Sequence, residues 1–204
     1  MMTARAMLTM IAGILLWSAA ASAQGLADVR KLYDAGQYAQ AVAAAQAAAD
    51  DPRVAYLLAQ SQQKAGRRDE ARDKYGELAA RPDGDPWHDI GRAAVAQLAS
   101  DAGGALDAAN QAVEHGDSIA EAHYQRGLAL SARQDMANAA TAFERATELD
   151  PAWADAHYYA GLAYSKIRRI DLMASHFNTF LRLAPQSPSR AEVQSIMRTL
   201  GARN

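Results

Sequence analysis

Between Ala120 and Pro151, small and apolar residues recur at intervals that fit two helices joined by a tight turn. Gly127, Ala139, Phe143, Ala146 and Pro151 mark the pattern, at spacings of 12, 4, 3 and 5. The pattern returns 34 residues later, with Gly161 for Gly127, Phe177 for Phe143 and Pro185 for Pro151. The wording itself repeats, EAHYQRGLAL at Glu121 against DAHYYAGLAY at Asp155. A fixed self-similar period of this length is the mark of a repeat architecture. No stretch alternates at period two with β-branched residues, so no strands are expected.

Weaker copies precede the strong pair. From Pro52 to Arg81, Leu58 and Ala59 stand before a turn at Gly66, and Ala71 and Tyr75 follow it. From Pro86 to Asp117, Ala93 takes the glycine place, Ala105 and Ala112 keep the small positions, and Ala109 stands for the phenylalanine. Gly103 and Gly104 at the start of its second helix cost about 1 kcal/mol each relative to alanine. The connector Pro82-Asp83-Gly84-Asp85-Pro86 breaks both neighbouring helices, yet the period runs through it, so it is expected to be a turn between repeats. A shorter first copy begins at Leu26, with Val29, Leu32 and Tyr33 on one stripe, Gly36-Gln37-Tyr38 as turn, and Ala41, Ala45 and Ala48 beyond. After the fifth copy, Ser187-Pro188 signals a new helix start. Val193, Ile196, Met197 and Leu200 then fall at i, i+3, i+4 and i+7, and Gly201 stops the helix. One apolar face on a last single helix suits a cap over the terminal repeat. The expected units are 24–51, 52–85, 86–119, 120–153 and 154–187, with the capping helix at 188–201.

Residues 1–23 read as a secretory leader rather than part of the fold. Arg5 is its only charge, Ala6 to Trp17 is apolar, and Ala21-Ser22-Ala23 forms a small-x-small exit before Gln24. The strictly apolar run is shorter than the roughly 20 residues that span a bilayer. The pattern predicts a cleaved signal and an exported, periplasmic protein with no membrane contact after cleavage; a leader retained as an anchor helix is the alternative.

Loss of Arg5 leaves 20 basic residues against 23 acidic ones, a net charge of −3. Nucleic acids and anionic membrane surfaces require a basic footprint, so neither is the expected partner. The chain has no cysteine, which excludes disulfides, thiolate metal sites, cysteine nucleophiles and a lipidated cysteine. No G-x-S-x-G, H-E-x-x-H or glycine-rich phosphate loop is present. Of the five histidines, His123 and His157 occupy equivalent positions beside Tyr124 and Tyr158, but they lack a third ligand. The chain is therefore expected to be non-catalytic, with no metal and no cofactor.

The L-G, Y, A-x3-F, P spacing resembles the tetratricopeptide repeat (TPR), strongly over 120–185 and more weakly over 24–51 and 86–117. The resemblance implies an all-α, right-handed solenoid of about five helical hairpins with a C-terminal capping helix. It also implies that the first helix of each hairpin lines a concave, partner-binding face. The positions that match are Arg53, Tyr56, Gln60 and Gln63 in the second repeat, and Trp87, Ile90 and Gln97 in the third. The fourth supplies Glu121, Tyr124, Gln125 and Ser131, and the fifth Asp155, Tyr158, Tyr159 and Ser165. Tyrosine and tryptophan dominate binding hot spots, and glutamine amides both donate and accept, so a peptide or partner helix suits this face. The carboxylate clamp of some TPR domains is missing, because its places hold Glu121, Gln125, Asp155 and Tyr159. Arg126, where leucine is usual, must reach solvent or an acidic partner. The resemblance implies an interaction scaffold, which the leader places in the bacterial envelope. A self-associating structural protein using the C-terminal helix and a chaperone-like holder of exported clients are the alternatives, and the oligomeric state stays open.

Overall fold

The computed structural model describes residues 24–48 and 50–201, which are helical with no strand. The expected leader lies outside the described residues. Five antiparallel hairpins follow in order: α1 (24–34) with α2 (Tyr38–Gln46), then α3 (Pro52–Lys64) with α4 (Arg68–Ala79). The next are α5 (Pro86–Leu98) with α6 (Ala102–His115), α7 (Ala120–Ala132) with α8 (Met136–Leu149), and α9 (Ala154–Lys166) with α10 (Ile170–Leu183). The single helix α11 (Arg190–Gly201) closes the chain. Among the described residues no helix is long and apolar enough to cross a membrane.

Local chemistry sets these boundaries. Asp51 and Asp85 each precede a proline at the first helical turn, and each carboxylate accepts a backbone N–H two residues on, at 2.9 Å. The proline lacks the N–H that a first turn would leave unpaired. Asp101 caps α6 by accepting from Gly104 N at 2.9 Å. A Cβ on Gly104 would lie 2.4 Å from Asp101 Oδ2, so the glycine that weakens this helix start also admits its cap. The connector at 82–86 forms the turn between repeats, with Gly84 at φ +83°. Within the hairpins the left-handed turn residue is Gly36 and Gly66, then Ser100, Gln134 and Arg168, at φ 62°, 63° and 60°. The last four stand 34 residues apart. Non-glycine residues pay about 1 kcal/mol for that conformation, so the turn geometry persists where glycine does not.

Packing within a hairpin turns on a phenyl ring laid over a glycine. A Cβ on Gly127 would meet Phe143 Cδ1 at 2.6 Å, and one on Gly161 would meet Phe177 Cδ1 at 2.4 Å. The third hairpin solves the same contact with small residues, Ala93 against Ala108 and Ala109, all buried. Its close approach falls instead at Gly91, on the side facing the preceding repeat. A Cβ there would lie 2.4 Å from Ala79 N and 2.7 Å from Tyr75 O. Met173 and Phe180, large where small residues are usual, are both buried, and the Phe180 ring lies 5.4 Å from that of Tyr158. On α11, Val193 is buried and Ile196, Met197 and Leu200 pack half-buried on the main core, so the helix covers the last repeat.

The buried side chains divide into a main core and a separate first-hairpin core. Val29, Tyr33, Ala41, Val42 and Ala45 pack with Val54, Leu57 and Leu58 of α3. The opposite side of α3, with Tyr56 and Ala59, joins the continuous core that runs from α4 to α11.

Candidate functional site

The inner side of the solenoid is not an open groove. Tyr56 of α3 accepts a hydrogen bond from Gln125 Nε2 of α7 at 2.7 Å, across two repeats. Its ring lies 6.2 Å from Trp87 and 6.4 Å from Trp153, while Tyr124 packs 4.4 Å from Trp153 and 5.7 Å from Tyr159. Such centroid separations are those of favourable tilted aromatic pairs. The first hairpin reaches the fifth: Arg30 pairs with Asp150 at 2.7 Å, and Tyr33 donates to Asp155 at 2.7 Å. The solenoid thus curls until its first hairpin meets its last.

This closure encloses most of the predicted inner-face residues. Tyr56, Gln60, Trp87, Tyr124 and Gln125 are all buried. Tyr158 and Tyr159 are half-buried, and only Arg53 and Gln63 are exposed. Arg53 is turned to Asp51, with Nη2 at 2.8 Å and Nε at 3.2 Å. Tyr158 donates to Glu192 of α11 at 2.9 Å and so belongs to the cap contact. Arg126 stays partly exposed.

The structure gathers Tyr56, Gln60, Gln63, Tyr124, Gln125 and Tyr159 around one chamber of about 340 Å³, while Trp87 lies outside it against Tyr56. Its wall carries the phenols of Tyr33, Tyr56, Tyr75, Tyr124 and Tyr159 and the amides of Gln60 and Gln125, with Gln63, Lys64 and Gln97 also lining it. Gln60 Oε1 is buried with no hydrogen-bond partner among the described residues. Burial, and then neighbouring phenols and carboxylates, push the hydroxyls of Tyr56, Tyr75 and Tyr124 well above the usual range, and the same causes raise Tyr159. These phenols therefore remain protonated donors at any physiological pH. Tyr75 and Tyr33 were not among the predicted residues. Tyr75 sits on the second helix of its hairpin, and Tyr33 belongs to the irregular first copy, so neither occupies a position that the repeat pattern assigns to the inner face.

The histidines act as ties. His123 Nε2 lies 2.8 Å from the Asp117 carbonyl, and His157 Nε2 lies 3.2 Å from that of Pro151. Each ring thus fastens the loop six residues before it, which accounts for the repeated His-Tyr without a metal. His157 Nδ1 also faces His176 Nδ1 at 3.1 Å. No group of three or more His, Asp or Glu among the described residues could hold a metal ion. His115 Nδ1 lies 2.8 Å from buried Asp89, which also accepts from Arg92 at 3.2 Å.

Two carboxyls beside the first hairpin hold protons unusually well. Burial, then the Asp155 carboxylate, pushes Asp34 up to about 7 against the pull of Arg30. Burial pushes Glu121 up to about 6. In the unfolded chain such groups ionise near 4. Folding with a raised carboxyl is therefore unpenalised at low pH, and its contribution falls as pH rises from about 4 through about 7. His123, His157 and His176, lowered chiefly by burial, act in the opposite sense and withdraw stability as pH falls below about 6.5. Asp34→Asn isolates the carboxyl effect. Its urea midpoint is expected to exceed that of the parent clearly at pH 8 and to converge with it towards pH 4. An equal gain at both values would contradict the assignment.

Solenoids of helical hairpins present extended inner surfaces of the kind used for binding. Tetratricopeptide repeat models match residues 120–153 and, separately, residues 53–83. Those two stretches therefore carry the tetratricopeptide repeat pattern. The structure of the chain is similar to that of TTC0263, a TPR protein of Thermus thermophilus. That match has a TM-score of 0.61 and 21% identity, over 86% of this chain and 98% of that one. It is similar also to the TPR2AB domain of yeast Sti1 in its complex with pHSP90, at a TM-score of 0.53 and 12% identity, over 90% and 99% of the two chains. The TPR domain of Arabidopsis OM64 matches at 0.53 and 18% identity, over 56% of this chain and 94% of that one. Likeness at these identities establishes the fold alone. No curated protein matches the sequence.

Proposed function

We propose that this TPR protein is a non-catalytic scaffold of the bacterial envelope that holds a peptide segment or partner helix on its inner face. The observation that carries the proposal is the chamber wall. Gln60 Oε1 is buried without a donor among the described residues, and the phenols of Tyr75, Tyr124 and Tyr159 line the same chamber. Buried polar groups are normally paired, and an unpaired one costs about 1–3 kcal/mol. A peptide backbone brings the N–H that Gln60 needs and the carbonyls that three phenols can serve. The volume sits at the low end of the roughly 300–1,000 Å³ of ligand pockets, which suits a short segment rather than a whole domain. The Sti1 domain in its complex with pHSP90 is a protein of this fold in company with a partner. The envelope location rests on the leader pattern of residues 1–23.

Photo-crosslinking in cells tests the proposal, from exposed Gln63 at the chamber and from Thr141 on the exposed side of α8. A discrete protein adduct from Gln63, absent from Thr141, is expected. Equal capture from both positions, or capture from α11 alone, would place the binding surface elsewhere.

A further inference from the structure

The contact that closes the solenoid differs in kind from every other contact between its hairpins. Neighbouring hairpins share buried apolar side chains along the main core. The first hairpin instead keeps a core of its own with α3 and meets the fifth through polar groups. That seam includes Arg30 on Asp150 and over the Trp153 ring at 6.0 Å, both at the end of the fourth repeat, Tyr33 on Asp155 of the fifth, and Gly36 against the Pro188 ring. It is poorly filled, with cavities of about 590 Å³ and 360 Å³ that both reach Arg30 and Arg53. Arg30 Nε is buried beside it with no partner. Apart from Tyr33, whose ring it shares with the chamber, the core of the first hairpin lies with α3 and not across the seam.

The face that α1 covers is acidic and aromatic. Glu121, Asp150 and Asp155 stand there with Trp87 and Trp153, and the cation that the covered side keeps is Arg53, already engaged by Asp51. We infer that the first hairpin is a displaceable latch, and that the face it covers takes a partner helix presenting an arginine and an aromatic residue one turn apart. Arg30 and Tyr33, at i and i+3 on α1, are the internal stand-ins for those two groups. An arginine on the ring of Trp153 and on the Asp150 carboxylate combines a charge-assisted hydrogen bond with a cation–π contact. This inference rests on the inner face being the binding surface and specifies its partner and its gate.

The probe is a labelled synthetic helix with the sequence of residues 24–37, added to the full mature chain. Arg30→Ala/Tyr33→Phe in the protein removes the latch contacts while keeping Val29 and the Tyr33 ring in their core. The probe is expected to bind this variant at least about tenfold more tightly than the parent. Adding Asp150→Asn and Asp155→Asn should return affinity to the parent level, and a probe with glutamate in place of its arginine should not bind. Equal binding to variant and parent, or indifference to the two acids, overturns the inference. Should the latch variant lose its helical circular dichroism, a reversible lock replaces it. Gly36 lies against the Pro188 ring, and a cysteine at its left-handed turn (φ +75°) carries the backbone cost that Ser100, Gln134 and Arg168 carry at theirs, so Gly36→Cys/Pro188→Cys is the pair used to lock the seam in a chain that has no other cysteine. Probe binding to the locked form should fall at least about tenfold and return on reduction. An exchanged dimer of the latch variant would overturn the inference in favour of a second copy as occupant. If Gln63 still captures a protein while the probe fails, the latch falls and the scaffold stands; if both fail, both fall.

Discussion

Phe143→Ala is expected to lower unfolding free energy by about 3–5 kcal/mol and to abolish partner capture from the inner face. Phe143 is fully buried in α8, and its ring covers Gly127 of α7. It also stacks 5.6 Å from Tyr159 of α9 and meets Tyr124 edge-on at 5.7 Å. Truncation therefore opens a cavity where three helices meet, against a glycine that has no side chain to refill it. Tyr124 and Tyr159 are chamber residues, so the loss reaches the site as well as the core. Phe177→Ala is the control. It removes an equally buried ring over Gly161, one repeat further on, that makes no ring contact with a chamber tyrosine. Similar destabilisation of both by urea unfolding, with capture lost only for Phe143→Ala, is the expected outcome. Capture surviving Phe143→Ala at a temperature where the variant is folded would separate the chamber from function.

Gly91→Ala is expected to destabilise by about 1–3 kcal/mol even though alanine is the better helix former. The new methyl would lie 2.4 Å from Ala79 N and 2.7 Å from Tyr75 O. Those are backbone atoms of α4, which cannot rotate aside, so α4 and α5 must separate. Gly76, also helical, has nothing within 4 Å of the position a methyl would take, and Gly76→Ala should stabilise by about 0.5–1 kcal/mol. The same chemical change is thus predicted to have opposite signs 15 residues apart. A stabilising Gly91→Ala would show that α4 and α5 sit further apart than described.

The Gly127, Phe143 and Pro151 spacing and its return at Gly161, Phe177 and Pro185 were enough to read the all-helical solenoid. That pattern reflects local contacts inside one hairpin, and local contacts leave periodic marks. Gly91 escaped because the third repeat moves its close approach from within the hairpin to the preceding one. The chamber was half legible. Tyr56, Gln60, Tyr124, Gln125 and Tyr159 came from the inner-face positions of the repeat, whereas Tyr33 and Tyr75 did not. What the periodicity could not carry was curvature. Whether five hairpins stay open or close depends on contacts such as Arg30 to Asp150 and Tyr33 to Asp155, more than a hundred residues apart, which leave no period in the chain. Of the predicted aromatics, Tyr56, Tyr124 and Tyr159 line the chamber, Trp87 is buried against Tyr56, and Tyr158 meets α11.

The central claim, that a partner binds the inner face, is tested most directly by photo-crosslinking from Gln63 in cells producing the Gly36→Cys/Pro188→Cys chain. Capture is compared with the seam oxidised and reduced. The account predicts one protein adduct in the reduced form that is lost on oxidation and restored by reductant. An adduct of equal yield in both states, matched by the same adduct from Thr141, would contradict it.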